Sequence, residues 1–150
     1  MRLIAAVLLS LTAATAYAAD ALPPSLVPYA GKIVYLDFWA SWCGPCGESF
    51  PWLNQMQAKY GQDLTIVGVN VDADARAAEG FLRKHPATFA ILKDPDGTLP
   101  DRYHIEGMPS AVILDGAGRV LHQHSGFRAG DTQEYEAAIR AALANQEARR

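Results

Sequence analysis

The only two cysteines of this 150-residue chain, Cys43 and Cys46, are separated by two residues. The apolar run over residues 32–40 predicts a buried strand just before them, and the pattern over residues 50–60 predicts a helix just after them. A Cys-x-x-Cys between a strand and a helix is typical of a redox motif. The spacing therefore limits the fold to one that places two neighbouring thiols between a strand and a helix.

This placement predicts different roles for the two thiols. Cys43 is expected at the helix N-terminus, where unpaired backbone N–H groups and the helix dipole favour a thiolate. A lowered thiol pKa makes such a cysteine a nucleophile near neutral pH. Cys46, one turn further along, is expected to resolve the mixed disulfide that Cys43 forms. Pro45 suits the first helical turn, because no backbone N–H is needed there.

Two other interpretations of the cysteine pair are an inert structural disulfide and half of a zinc site. A disulfide over so short a loop removes little entropy from the unfolded chain. Zinc requires two further ligands. The candidate ligands all lie far from the motif in sequence, and they are His85, His104, His122 and His124. Redox chemistry is therefore preferred, with no metal and no cofactor predicted. His122 and His124 share one face of a predicted strand and are interpreted as a solvated face.

The N-terminal residues predict a signal peptide. Arg2 supplies a short positive region, residues 3–14 form an apolar run, and Ala16-Tyr17-Ala18 resembles a cleavage site. Cleavage is expected after Ala18, which leaves residues 19–150 as one domain in the periplasm. An uncleaved membrane anchor is the alternative. The formal net charge of −3 gives no electrostatic case for nucleic-acid binding, and a monomer is expected.

Periodicity over the rest of the chain predicts one α/β domain with an irregular lead-in over residues 19–29. The predicted elements are strands at 64–72, 89–92, 111–114 and 119–125, and helices at 73–84, 99–104 and 131–145. A strand-helix-strand order at the start predicts two parallel strands with a right-handed crossover.

The chain resembles thioredoxin in Asp37-Phe38-Trp39-Ala40 and in Trp42-Cys43-Gly44-Pro45-Cys46. Its later features resemble the exported TlpA/ResA-type thioredoxin-fold reductases. These features are Phe50-Pro51, the strand at 67–72, an inserted segment at about 76–99, Gly107-Met108-Pro109-Ser110 and Gly126-Phe127-Arg128. The resemblance implies a thioredoxin fold, with a central mixed sheet flanked by helices and a short α/β insertion before a cis-proline loop.

The resemblance also implies roles for individual residues. Pro109 would be the cis-proline that faces the disulfide, and the Met108 backbone would pair with an extended substrate. Trp42 would flank the exposed sulfur, and with Gly44 and Pro45 it completes the predicted substrate contacts. Asp37 would be the buried carboxylate that accepts the proton of the resolving thiol, Cys46.

Two positions depart from the family pattern. TlpA/ResA-type proteins often carry a glutamate three residues after the second cysteine, where this chain has Ser49. The adjacent Glu48 is expected to point elsewhere on the helix, so the proton role is assigned to Asp37. Thioredoxins place a lysine near the buried aspartate, and Gly68 is expected at that position. Without that cation, burial is expected to raise the pKa of Asp37.

The sequence therefore predicts an exported thiol-disulfide oxidoreductase that reduces disulfides in client proteins. A membrane thiol donor is implied by the resemblance. One alternative is an oxidase that donates its disulfide, which the reducing dipeptide Gly44-Pro45 disfavours. The other is a copper-binding module that uses Cys43, Cys46 and either Met108 or a histidine, although the sequence has no methionine- or histidine-rich cluster.

Overall fold

The computed structural model describes residues 22–149. The predicted signal peptide over residues 1–18 lies outside the described residues. Within the described range, no helix has the length and apolar character needed to cross a membrane. In chain order, the strands and α-helices are β1 Ile33–Trp39, α1 Cys46–Tyr60, β2 Leu64–Asn70, α2 Ala75–Lys84, β3 Ala90–Lys93, α3 Thr98–Arg102, β4 Ser110–Leu114, β5 Val120–Ser125 and α4 Thr132–Glu147.

One five-stranded sheet, in the order β3-β2-β1-β4-β5, forms the centre of the molecule. β1 pairs in parallel with β2 and antiparallel with β4, β2 pairs in parallel with β3, and β4 and β5 form an antiparallel hairpin. All seven residues of β1 are buried, as expected for a strand covered on both faces. The predicted central mixed sheet flanked by helices and the predicted parallel β1–β2 pair are confirmed.

The alternating side chains of β1 face two separate apolar clusters. Tyr35 and Trp39 pack on one side with side chains of α1, α2 and α4. Leu36 and Phe38 pack on the other side with α3 and with Leu26. Leu26 belongs to a 3-10 helix, Pro24–Tyr29, where the sequence predicted an irregular lead-in. Asp37 shares the face of Tyr35 and Trp39, because side chains alternate along a strand, and so points toward the α1 side.

The starts of α2 and α4 differ in their side-chain hydrogen bonds. Asp74 caps α2 by accepting a hydrogen bond from the backbone N–H of Arg76. Asp131 occupies the N-cap position of α4, but its side chain makes no capping hydrogen bond. The Asp131 carboxylate instead lies 3.6 Å from the guanidinium of Arg128.

Candidate active site

The two cysteines form a disulfide in the segment between β1 and α1, with an S–S distance of 2.07 Å and 5.4 Å between the Cα atoms. Cys43 is 5% exposed, whereas Cys46 is completely buried. Trp42, Gly44 and Pro45 are exposed around them, and the Trp42 side chain is 71% exposed. An external thiol or disulfide therefore reaches the sulfur of Cys43 before that of Cys46.

Helix α1 begins at Cys46, so Cys43 lies three residues before the helix and not at its N-terminus, where the sequence predicted it. The Cys43 backbone accepts a hydrogen bond from the N–H of Cys46 at 3.2 Å and donates one to the carbonyl of Ala40 at 3.1 Å. These bonds close a turn over the motif, so the helical ladder starts only after it. Pro45 occupies the N-cap position rather than the first helical turn. Cys43 still lies next to the N-terminus of α1.

The loop that presents the motif is held by a buried carboxylate that the sequence analysis did not single out. Asp72 accepts hydrogen bonds from the backbone N–H of Ser41 at 2.8 Å and from its hydroxyl at 2.7 Å. Asn70 donates a third bond to the same carboxylate at 2.7 Å. Both residues sit at or just beyond the end of β2, and polar residues at the end of an apolar strand were the signal available in the sequence. The network fixes the residue next to Trp42.

The Met108-Pro109 peptide bond is cis, as the family resemblance implied. Phe38 pairs with Ser110, so the end of β1 and the start of β4 lie at the same edge of the sheet. Pro109 is buried and Met108 is partly exposed. The Pro109 carbonyl accepts the N–H of Gly126 at 2.7 Å, and the Ser110 hydroxyl donates to the Gly107 carbonyl at 2.6 Å. The cis-proline loop is thus tied to β5 beside the motif.

Asp37 is 3% exposed, and its Oδ2 atom has no hydrogen-bond partner among the described residues. Burial raises the pKa of this carboxyl well above its usual range, and the hydroxyl of Ser49 opposes that rise. The Ser49 hydroxyl proton, however, is donated to the Cys46 carbonyl at 3.0 Å. We therefore take burial to dominate the pKa of Asp37. Ser49 lies near this carboxyl, in the helical turn that begins with Cys46.

Residues 31–120 match a family model described as thioredoxin-like. The chain belongs to the thioredoxin-like family. It is 38% identical over 92 residues to a thiol:disulfide interchange protein DsbE homolog from Paracoccus denitrificans, covering 61% of this chain and 49% of the relative. It is 33% identical over 92 residues to the thiol-disulfide oxidoreductase ResA of Bacillus subtilis, covering 61% and 51%. The chain spans about half the length of these curated relatives.

Solved structures give the same result for the fold of this thioredoxin-like chain. A structure described as a thiol:disulfide interchange protein DsbE from Chlorobium tepidum is 50% identical, with a TM-score of 0.75, covering 79% of this chain and 84% of that one. StoA from Bacillus subtilis is 25% identical, with a TM-score of 0.65, covering 75% and 86%. The predicted thioredoxin fold and the predicted TlpA/ResA-type family are confirmed.

Gly68 lies directly opposite Asp37 in the parallel pairing of β1 with β2, as the sequence predicted for the position of the thioredoxin lysine. A Cβ atom at Gly68 would lie 3.0 Å from the indole nitrogen of Trp39 and 3.0 Å from a ring carbon of Phe89. Aromatic rings thus fill the space beside Gly68 that the side chain of a lysine would need. The indole nitrogen of Trp39 is itself buried without a hydrogen-bond partner among the described residues.

Glu48 is exposed on α1, whereas its neighbour Ser49 is buried. This difference agrees with the expectation that Glu48 points away from the buried side of α1. Glu48 therefore stands in bulk solvent rather than beside the Asp37 carboxyl. Its backbone N–H donates to the Pro45 carbonyl at 3.1 Å, which extends the turn that follows the motif.

The interpretation of His122 and His124 as a solvated strand face is wrong for His124. The ring of His124 stacks on Tyr135, with 4.2 Å between centroids and 9° between planes. Its Nε2 atom lies 3.0 Å from the Tyr35 hydroxyl and its Nδ1 atom 3.0 Å from the Gly126 carbonyl. Burial lowers the pKa of His124. The strand pattern could not show this, because α4 packs across the face that carries the imidazole.

Two grooves flank the motif of this thioredoxin-like chain. The first, of about 420 Å³, is lined by Trp42, Met108 and Ile105 and carries Asp101 and Glu106. The second, of about 500 Å³, is lined by Cys43 and Gly44 on one side and, on the other, by residues 77, 80, 81, 83 and 84 of α2 and by His85 after it. The motif loop forms a wall of both grooves. The sequence assigned no function to the charged residues that line the grooves.

The end of α2 contacts the first turn of α1. A Cβ atom built on Gly47 would lie 2.5 Å from Cε1 of His85. The imidazole also packs against Phe81, with 4.5 Å between ring centroids. Gly47, the residue after Cys46, therefore provides the bare backbone surface on which His85 rests.

Proposed function

We propose that this chain is an exported thiol-disulfide oxidoreductase that reduces disulfides in client proteins. The observation that carries the proposal is the Cys43–Cys46 disulfide between β1 and α1, at the sheet edge that also carries the cis Met108-Pro109 bond. The names of the relatives, thiol:disulfide interchange protein and thiol-disulfide oxidoreductase, support the same reaction. Because the chain spans about half of those relatives, the activity is proposed for this domain.

In the proposed reaction, the Cys43 thiolate attacks one sulfur of a client disulfide. A mixed disulfide forms, and the other client sulfur leaves as a thiolate. The Cys46 thiolate then attacks the Cys43 sulfur, which releases the second client thiolate and forms the Cys43–Cys46 disulfide. Two electrons pass from the protein dithiol to the client. In this scheme Asp37 accepts the Cys46 proton, since a carboxyl with a raised pKa can act as a base near neutral pH.

The remaining site residues are proposed to bind the client. Trp42 offers an exposed apolar surface beside Cys43, and Gly44 and Pro45 leave the entry to the sulfur open. Met108 is proposed to pair with an extended client through its backbone, and Pro109 to face the disulfide. The proposed direction is reduction, because a Gly-Pro dipeptide between the cysteines is that of thioredoxin, a reductant near −270 mV.

The proposed location is the periplasm, reached through the predicted signal peptide over residues 1–18. Support comes from a 28% identical structure described as a secreted Mycobacterium tuberculosis disulfide oxidoreductase and a 26% identical one described as an exposed lipoprotein thioredoxin from Streptococcus pneumoniae. A reductase outside the cytoplasm requires electrons, so a membrane thiol donor is the proposed partner. Fractionation of cells that express the full chain tests the location.

The activity is tested with the purified domain and a protein disulfide substrate, with dithiothreitol as the electron source. We expect catalysed reduction by the wild-type chain and none by Cys43→Ser. In a separate reaction without dithiothreitol, the reduced Cys46→Ala variant is expected to accumulate a mixed disulfide. Equilibration with glutathione tests the direction. A potential near about −270 mV supports reduction, whereas one above about −180 mV would assign the oxidase activity instead.

A further inference from the structure

The two grooves beside the motif differ in charge. In the first, Asp101 and Glu106 are exposed at the rim around Trp42 and Met108. Within residues 22–149, neither carboxylate forms an ion pair. Arg102 does not line this groove, and its guanidinium lies over the Tyr103 ring, 6.0 Å from the centroid. The first groove therefore presents an apolar floor and a rim that carries two carboxylates.

The second groove carries the opposite charge. Arg83 and Lys84 line it next to Cys43 and Gly44, and both are exposed. Among the described residues, neither side chain is in an ion pair. Within residues 22–149, no carboxylate lines this groove. A peptide whose cysteine meets Cys43 thus has negative charge on one side of the sulfur and positive charge on the other.

We propose that the two grooves select a client segment with opposite charges on the two flanks of its cysteine. The flank with apolar and basic residues lies in the groove of Trp42, Ile105 and Met108, where Asp101 and Glu106 attract it. The acidic flank lies against Arg83 and Lys84. This selection rests on the proposed function, because the client cysteine must form the mixed disulfide with Cys43. Complementary charges at an exposed rim mainly raise the association rate and fix the orientation.

Two peptides of identical composition test the proposal. One carries leucine and two lysines before a single cysteine and two glutamates after it, and the other carries the same residues in reverse order. Each is used as its symmetric disulfide-linked dimer, so attack on either sulfur gives the same products. One dimer consumes one protein dithiol and yields two peptide thiols and the Cys43–Cys46 disulfide. Alkylation of quenched samples and mass spectrometry measure the rate.

We expect the reduced protein to favour one peptide by about threefold or more at low ionic strength, because exposed charge pairs are individually weak. The preference should shrink as salt screens the charges. The double variant Asp101→Lys/Glu106→Lys should reduce it, and adding Arg83→Glu/Lys84→Glu should reverse it. The control Glu134→Gln/Glu147→Gln removes two exposed carboxylates on α4 and should keep the preference. Equal rates for the two peptides, or a preference that survives charge reversal, would overturn the proposal.

Hydroxyethyl disulfide, a small uncharged substrate, separates this inference from the proposed function. Peptide rates are expressed relative to the rate with this compound for each variant. If the small disulfide is reduced and the peptides are not distinguished, the charge selection is wrong and the reductase activity stands. If the dithiol form of the protein reduces no disulfide, the proposed function is wrong, and the proposed selection of clients is wrong as well.

Discussion

Asp37 of β1 lies directly opposite Gly68 of β2, and the indole of Trp39 covers the face of that glycine. The carboxyl therefore faces a position without a side chain, next to an indole nitrogen that has no partner among the described residues. No cation of β2 offsets its burial. The behaviour of Asp37 follows from this pairing, and it leads to the first two predictions.

We expect the stability of the protein to fall with rising pH in a window that Asp37→Asn removes. Below the ordinary carboxyl pKa of about 4, Asp37 is neutral in both states. Above it, the unfolded carboxyl ionises while the folded one stays protonated up to its raised pKa, so unfolding becomes easier. Urea unfolding from pH 4 to pH 8 measures this. The variant should gain stability relative to wild type as pH rises, and the exposed-site control Asp96→Asn should not. A constant difference across the range would contradict the raised pKa.

Asp37→Asn should also slow the second step of the reaction and leave the first step unchanged. The amide keeps the shape of the side chain but cannot accept the Cys46 proton, and loss of a general base costs about a hundredfold in rate. Single-turnover experiments at several pH values separate formation of the mixed disulfide from its resolution. Resolution at the wild-type rate over the whole range would assign Asp37 a structural role.

Gly68→Ala should destabilise the fold by about 1–3 kcal/mol, the usual range for overpacking a filled core. The added methyl would lie 3.0 Å from Trp39 and Phe89 atoms and 3.1 Å from a methyl carbon of Ile91. Urea denaturation at neutral pH measures the change. Gly130→Ala is the control, because a Cβ atom there meets none of the described residues within 4 Å. If both variants unfold at the same urea concentration, the side chains around Gly68 can move to accommodate a methyl group, and the prediction is wrong.

In the reduced protein, Cys43 should react with an alkylating reagent much faster than Cys46 near neutral pH. Cys43 is slightly exposed and lies next to the N-terminus of α1, whereas Cys46 is completely buried. Rates from mass-resolved alkylation at pH 5 to 9 give the thiol pKa of each residue, and that of Cys43 should lie below the ordinary value of about 8.5. Slow and equal modification of both thiols would remove the nucleophile role from Cys43.

His124 should make the protein less stable as pH falls, the opposite sign to Asp37. Burial lowers its pKa in the folded state, so the unfolded chain binds the proton first, below about pH 6.5. His124→Gln should remove that dependence. It should also cost about 1–2 kcal/mol at neutral pH through the lost Tyr35 hydrogen bond and the Tyr135 stack. His122→Gln is the matched control on the same strand. An unchanged pH profile in His124→Gln would show that other groups cause the slope.

Local sequence patterns predicted the parts of the site that depend on the order of strands and helices along the chain. The strand leading to Cys43, the parallel neighbour that carries Gly68 and the position of Pro109 all follow from hydrophobic periodicity and the family motif. The start of α1 was wrong because hydrogen bonds within the motif close a turn before the helix. The contacts of His124 and the Asp72 network join elements that are distant in sequence. Periodicity carries no information on such contacts.

The contact between Gly47 and His85 constrains how this chain can be re-engineered. The insertion that carries α2 is a natural place to exchange loops, because it supplies one wall of a groove. Any graft that omits the imidazole would uncover the backbone of the residue after Cys46 and let water reach the first turn of α1. Any side chain larger than hydrogen at position 47 would overlap the His85 imidazole, which would have to leave its place on α1. A designer must therefore exchange positions 47 and 85 as a pair.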